Sequence, residues 1–323
     1  MIAISFLVSL LASFLCSPRL ITWLKRAGIT GHDLHKSGHP LVPEMGGLAV
    51  VIGFGAGILL TIASVSFLRL FPEADMTLLL AALATILLAG LIGVVDDLLG
   101  MRQWVKTFLP VFAALPLMAL RSGHTWLQIP FLGTLNFWIF YPLVLIPFGV
   151  SGAANAVNML AGFNGLEVGL GIIALGSLSV IAGVLHLTTA LIILLSGLGA
   201  LLGILYFNWY PAKVLVGDAG TLSIGAIIAT AVIVGNFETA GVIVLIPHAI
   251  DFLFKAVHRF PTTGWGGEPS EDGKLHCPLH GPVSLPQFVM KVARGIHERT
   301  LVLVLMGIEA VFGALAILLY VLK

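Results

Sequence analysis

Leu78-Leu79-Leu80-Ala81-Ala82-Leu83-Ala84-Thr85-Ile86-Leu87-Leu88-Ala89-Gly90-Leu91-Ile92-Gly93-Val94-Val95-Asp96-Asp97 is the stretch whose reading decides the fold. At 1.5 Å per helical residue, an apolar run of this length reaches about as far as the ~30 Å hydrocarbon core of a bilayer. It ends in two adjacent carboxylates, and Lys106 follows nine residues after Asp97. Two solvated acids at a helix end are the plainest explanation. Carboxylates held close to a membrane are costly unless paired or metal-bound, however, and two acids with a lysine suit phosphate and divalent-metal chemistry.

The rest of the chain agrees with a membrane setting. Of its 323 residues, 59% are hydrophobic and 10% charged, and the mean hydropathy is +1.08. A soluble domain carries about 25% charge. The net charge of +1 argues against a nucleic-acid footprint. Cys16 and Cys277 form neither a disulfide framework nor a zinc-ligand spacing. The first apolar run has no basic region before it and no small-residue cleavage site, and it continues to about Trp23. It reads as a retained helix.

Ten apolar runs can be drawn, near 2–24, 45–68, 77–95, 106–120, 135–155, 166–185, 188–206, 219–236, 239–257 and 300–322. We expect an all-α, polytopic membrane protein with about ten spans, forming one domain over 1–323. The runs show no helical-period polar face, and their many glycines (37) suit close helix packing. Gly53-Phe54-Gly55-Ala56-Gly57 is an example. Ten spans put both termini on one side. Arg19, Lys25, Arg26, Lys36, Arg102, Lys106, Lys213, Lys255, Arg259, Lys274, Lys291, Arg294 and Arg299 then share one face, against Arg69, Arg121 and Lys323 on the other. The positive-inside rule makes the basic face cytoplasmic. On the opposite face, Thr125–Phe137, with Gln128-Ile129-Pro130 and Gly133, reads as a short hairpin.

Polar clusters gather in the loops of the basic face. Gly31-His32-Asp33-Leu34-His35-Lys36 leads to Pro43-Glu44-Met45-Gly46-Gly47. Glu44 opens the second span, where the helix dipole favours an acid, and the glycine pair leaves room for a ligand near the backbone. Asn155 and Asn158 are three apart, on one helical face. Gly162 and Gly165 bracket Phe163 and Asn164 in a tight turn, which fits a helix C-cap but leaves the density of amides and acids unexplained. In Val216-Gly217-Asp218 the acid is either an N-cap or part of an anion site that Gly217 keeps open. The last loop, about 258–299, starts His258-Arg259-Phe260-Pro261, and its cations suit phosphate contacts. Asp251 and Glu309 lie inside apolar runs. Asp251 is placed to orient the base of the last loop, and Glu309 connects to no cluster.

These clusters, in this order, resemble the polyprenyl-phosphate N-acetylhexosamine-1-phosphate transferase superfamily, most closely its dolichyl-phosphate N-acetylglucosamine-1-phosphotransferase branch. The carrying residues are Pro43-Glu44, Asp96-Asp97 with Lys106, Asn155-Ala156-Val157-Asn158 through Gly162-Phe163-Asn164-Gly165-Leu166-Glu167, Val216-Gly217-Asp218, His258-Arg259-Phe260-Pro261 and Ile296-His297-Glu298-Arg299. The resemblance implies a ten-helix fold, usually dimeric, with Mg²⁺ (or Mn²⁺) at the cytoplasmic face of a cell membrane or endoplasmic reticulum. It implies transfer of N-acetylglucosamine-1-phosphate from UDP-GlcNAc to a polyprenyl or dolichyl phosphate, releasing UMP, as the first step of lipid-linked oligosaccharide synthesis for N-glycosylation. Asn158 and Asp218 would hold the metal. Lys106, His258 and Arg259 would hold phosphates. Gly162 and Asn164 would meet the uracil, with Leu215 packing on it. Asn155 and Glu44 would lie near the substrate, and Asp96 and Asp97 would act at the acceptor phosphate, Asp97 either as a base or in positioning.

Three departures stand out. Ala161 and Asn164 replace aspartates of the peptidoglycan-precursor members, which argues against a muramyl-pentapeptide substrate. Val257 stands where the eukaryotic branch has Arg, with Lys255 as a substitute contact. Gly100 stands where that branch has Asn. The rival readings are the same reaction with another UDP-N-acetylhexosamine and undecaprenyl phosphate, or an ion-coupled transporter using Asp96, Asp97 and Asp251. Transporters bind near the midplane, often between repeated halves. Here the acids cluster at one face and no repeat is evident.

Overall fold

The computed structural model describes residues 3–36, 38–70, 73–129, 133–261 and 264–321. Pro130 of the expected hairpin and Lys323 lie outside them. The helices are α1 (Ala3–Ala27), α2 (Gly47–Leu68), α3 (Met76–Leu99), α4 (Gln103–Phe108), α5 (Pro110–Ala113), α6 (Leu115–Ala119), α7 (Ile146–Met159), α8 (Leu166–Val184), α9 (Thr188–Asn208), α10 (Gly217–Gly235), α11 (Glu238–Val244), α12 (Ile246–Val257), α13 (Leu285–Ala293) and α14 (Glu298–Val321). A π-helical turn, Tyr141–Leu145, leads into α7.

Among the described residues, eight helices are long and apolar enough to cross a membrane, or nine if the bent pair α11–α12 is one span. The expectation is about ten spans, and two of the ten runs are broken rather than single helices. The run at 106–120 is not one helix. Pro110 and Pro116 each open a new short helix, because proline lacks the N–H that would continue the ladder and clashes with the preceding turn. The run at 239–257 bends by 59° between α11 and α12, with Pro247 in the first turn after the break.

Helix α10 is the centre of the molecule, buried along nearly its whole length and packed against α2, α3, α7, α8 and α9. Its approach to α2 and α3 depends on glycine. A Cβ on Gly47 would stand 2.0 Å from the backbone nitrogen of Gly220, and one on Gly93 would stand 2.4 Å from the nitrogen of Ala219. The Gly46-Gly47 pair therefore admits a neighbouring helix, not a ligand. Helix α1 shows a polar stripe that the sequence reading missed. Ser5, Ser9, Ser13 and Ser17 recur every fourth residue and are all buried. Ser5, Ser9 and Ser13 face glycines of α2 and α9. A Cβ on Gly57 would meet Ser9 Oγ at 2.0 Å, and one on Gly203 would meet Leu10 O at 2.6 Å. Small residues let the three helices touch, as membrane helices do.

Three two-stranded antiparallel pieces decorate the ends: β1 (Thr30–His32) with β2 (Leu41–Pro43), β3 (Trp126–Ile129) with β4 (Gly133–Asn136), and β5 (Glu268–Pro269) with β6 (Leu275–His276). The second is the expected hairpin, with Trp126 opposite Asn136. Near it, the Asp75 N–H donates to Thr189 Oγ1 and Tyr141 bonds Glu238. At the other end of the bundle, β2 is tied to the segment before α10. The Leu215 N–H donates to the Pro43 carbonyl, and the Gly46 N–H donates to the Leu215 carbonyl. The long loop is anchored there by a second apolar cluster of Leu275, Leu285 and Met290 with Leu166 of α8 and Leu301 of α14. The polar clusters thus meet at one end.

Candidate active site

A cavity of about 680 Å³ opens at that end. Its walls come from the β1–β2 loop and Glu44, from Gln103 to Thr107 of α4, from Asn155 and Asn158 of α7, and from the turn at Gly162. Leu215, Asp218 and Thr221 add the start of α10, and Phe252, Lys255, Phe260, Pro261 and Trp265 the far side.

Lys106 is the electrostatic centre. Its ammonium lies 2.7 Å from Asp96 Oδ2 and bonds the Asp218 carboxylate. Asp96 is fixed in turn by the Met101 N–H, 2.8 Å from its Oδ1. Asp97, the neighbouring acid, points elsewhere. Its Oδ1 accepts from the Asp218 N–H at 2.7 Å and its Oδ2 from the Ala219 N–H at 3.1 Å. The first residue outside α10, Val216, offers no side-chain cap, so Asp97 closes that helix from α3. Asp218 is therefore not the N-cap. Gly217, with φ +69°, leaves room for the Asp97 carboxylate, since a Cβ there would stand 2.7 Å from Asp97 Oδ2. The anion at this helix end is a side chain.

Glu44 faces the same space. Burial, and next the nearby Asp218 carboxylate, raise its carboxyl above the usual glutamate range. Glu44 and Asp218 line the cavity and Asp96 pairs with Lys106, so carboxylates gather round that ammonium, a setting that suits a divalent cation. Asn158 lines the same wall and has no side-chain hydrogen bond among the described residues. An amide and carboxylates form the oxygen donor set that a hard divalent ion prefers. Asn155 instead braces two elements, its Nδ2 donating to the Thr107 carbonyl at 3.0 Å and to Ser151 O at 2.9 Å.

Other expected residues fall off the wall. Asn164 is buried, and its side chain is spent. Its Nδ2 donates to Asp33 Oδ2 at 3.1 Å. Its Oδ1 accepts from Lys36 Nζ at 2.6 Å and from the Ala212 N–H at 2.7 Å. His258 and Arg259 are exposed just beyond α12 and do not line the cavity, although Phe260 and Pro261 do. The His258 ring contacts the Phe254 carbonyl, Nδ1 to O 2.8 Å. Asp251 does orient the last loop. It pairs with Lys255 at 2.7 Å and accepts from the Leu285 N–H at 2.8 Å.

Sequence reasoning missed a buried knot behind the Gly162 turn. Asp33, His35 and Glu298 each bring a ligand atom within 4.8 Å of the others. Lys36 already pairs with Asp33, and Glu298 Oε1 accepts from the Asn164 N–H at 2.8 Å, so this knot clamps the turn. His35 stacks on Phe163 at 4.1 Å between ring centres. Burial, its dominant cause, pushes the imidazole down to about 4. The signal was the polar run His32–Lys36, read as a cluster but without a partner.

Comparison with known proteins identifies the family. The family model described as glycosyl transferase family 4 matches residues 79–236, from α3 through α10. The chain is 37% identical over 98% of its length to a protein of Saccharolobus solfataricus, 96% of which is covered. That protein bears the provisional name UDP-N-acetylglucosamine–dolichyl-phosphate N-acetylglucosaminephosphotransferase. The chain belongs to glycosyl transferase family 4. A second family member, from Dictyostelium discoideum, carries the same name without qualification and is 29% identical over 81% of this chain and 70% of its own. A third, from Bacillus subtilis, is provisionally named an undecaprenyl-phosphate N-acetylglucosaminyl 1-phosphate transferase and is 28% identical over the same shares.

Proposed function

We propose that this family 4 chain transfers N-acetylglucosamine-1-phosphate from UDP-GlcNAc to a polyprenyl phosphate of the dolichyl type, with the cavity facing the cytoplasm and Mg²⁺ as cofactor. The observation that carries the reading is Lys106 held between Asp96 and Asp218 on a wall shared with Asn158 and Glu44. The names of the relatives supply the substrates.

The reaction is attack of a lipid phosphate oxygen on the β-phosphorus. The bond from that phosphorus to the bridging oxygen breaks, and UMP leaves with the oxygen. Two anions must meet, so charge neutralisation and positioning carry the catalysis. Lys106 supplies one positive charge, and Asn158 and Asp218 are the groups to hold Mg²⁺. When bound, the ion neutralises the diphosphate. A phosphate monoester, with a second pKa of about 6, is largely ionised at neutral pH and needs no strong base. Leu215 and the Gly162 turn form the wall suited to the base, and Trp265, which packs on Gly162, closes it from the long loop.

Purified protein given a panel of UDP-sugars with dolichyl or undecaprenyl phosphate tests the reading. UMP release with UDP-GlcNAc, lost on chelation and restored by Mg²⁺, is expected. No UMP with any pair would sink it.

A further inference from the structure

We propose that Asp97 is a positioning residue. By closing the N-terminus of α10 it fixes Asp218 beside Lys106, and it takes no proton from the acceptor phosphate. The inference rests on the transfer reaction proposed above.

The two adjacent acids divide their tasks. Asp96 holds the ammonium of Lys106 at 2.7 Å. Asp97 reaches across to the next helix, with each oxygen committed to one backbone amide, those of Asp218 and Ala219. Both amides belong to the first turn of a 19-residue helix that has no cap of its own. Four of the first N–H groups in any helix lack internal partners, and a carboxylate there also meets the positive end of the dipole.

The surroundings are shaped for this contact. Gly93, one turn before Asp97, brings the α3 backbone against Ala219, and Gly217 leaves the space that the Asp97 carboxylate fills. Neither Asp96 nor Asp97 lines the cavity, whereas Asp218 and Lys106 do. A general base must present a lone pair to the group that gives up its proton, and the Asp97 oxygens face helix amides. What Asp97 controls is where the Asp218 side chain starts. A shift of that backbone moves a candidate metal ligand and the partner of Lys106 together.

Two variants of the full-length protein separate positioning from proton transfer. Asp97→Asn keeps the shape and one accepting oxygen. Gly217→Ala keeps every acid but displaces the Asp97 carboxylate. Mn²⁺ binding without substrates, followed by electron paramagnetic resonance, is read beside initial rates at varied Mg²⁺. Each variant is expected to bind Mn²⁺ about tenfold more weakly and to need about tenfold more Mg²⁺, with kcat at saturating Mg²⁺ within roughly tenfold of wild type. Wild-type Mn²⁺ affinity in Asp97→Asn, with kcat at saturating Mg²⁺ down a thousandfold or more, would make Asp97 the reacting group and overturn the proposal. Wild-type Mn²⁺ affinity in Gly217→Ala would overturn it too, as would a wild-type protein that binds no Mn²⁺. The binding arm stands apart from turnover. A wild type that binds Mn²⁺ but releases no UMP sinks the proposed reaction, and the variants still decide the role of Asp97.

Discussion

His35 shows how one buried side chain couples the site to pH. It is enclosed by Phe163, Asp33 and Lys36, and its imidazole is held near 4, against about 6.5 in an open chain. Above about pH 6.5 both states are neutral and nothing changes. As the pH falls from 6.5 toward 4, the opened loop takes up a proton that the closed one refuses, so stability drops by up to about 1.4 kcal/mol per pH unit. Glu44, raised by burial, works in the opposite sense, its contribution being lost as the pH rises. The His35 part is isolated by comparing thermal midpoints of wild type and His35→Asn across that range. The gap between them is expected to narrow as the pH falls, and parallel curves would contradict the assignment. The polar character of the His32–Lys36 run was legible from composition. Its role was not, because Asn164 meets Asp33 across 131 residues and Glu298 meets Asn164 across 134, and no local pattern encodes such pairings.

Among the elements, α10 bears the functional end because glycine lets it lie against α2 and α3. A Cβ on Gly47 would collide with the backbone at Gly220, where no flexible side chain can move aside. Overpacking of this kind costs about 1–3 kcal/mol or more. Gly47→Ala is therefore expected to lower the thermal midpoint in detergent and to reduce activity with it. A variant of wild-type stability would contradict the packing. Apolar runs and their lengths placed the long helices well, since a bilayer imposes that pattern. Breaks were less legible. Pro110, Pro116 and Pro247 stand in plain view in the sequence, yet membrane helices often tolerate proline, so the hydropathy of 106–120 and 239–257 outweighed it. The Ser5–Ser17 stripe was overlooked because serine scarcely lowers hydropathy, although its four-residue period marks a buried face.

For the whole molecule, all the clusters expected on one face do meet at one end, joined by contacts such as Lys106 to Asp218 and Asn164 to Asp33. Loop alternation made that convergence legible. The fold of the long loop was not, since β5, β6 and α13 are held by contacts with α8 and α14 rather than by periodicity of their own. The basic asymmetry predicts that this end faces the cytoplasm. A cysteine replacing Ser270, in the long loop, is expected to resist an impermeant thiol reagent on intact cells and to react after permeabilisation. Labelling from outside would invert the topology. The central claim is that a phosphoryl group travels with the sugar. UDP-GlcNAc labelled with ³²P at the β-phosphorus, incubated with purified protein and polyprenyl phosphate, tests it most directly. The account predicts label in the lipid fraction and unlabelled UMP in solution. Labelled UDP in solution, with unlabelled sugar on the lipid, would contradict it.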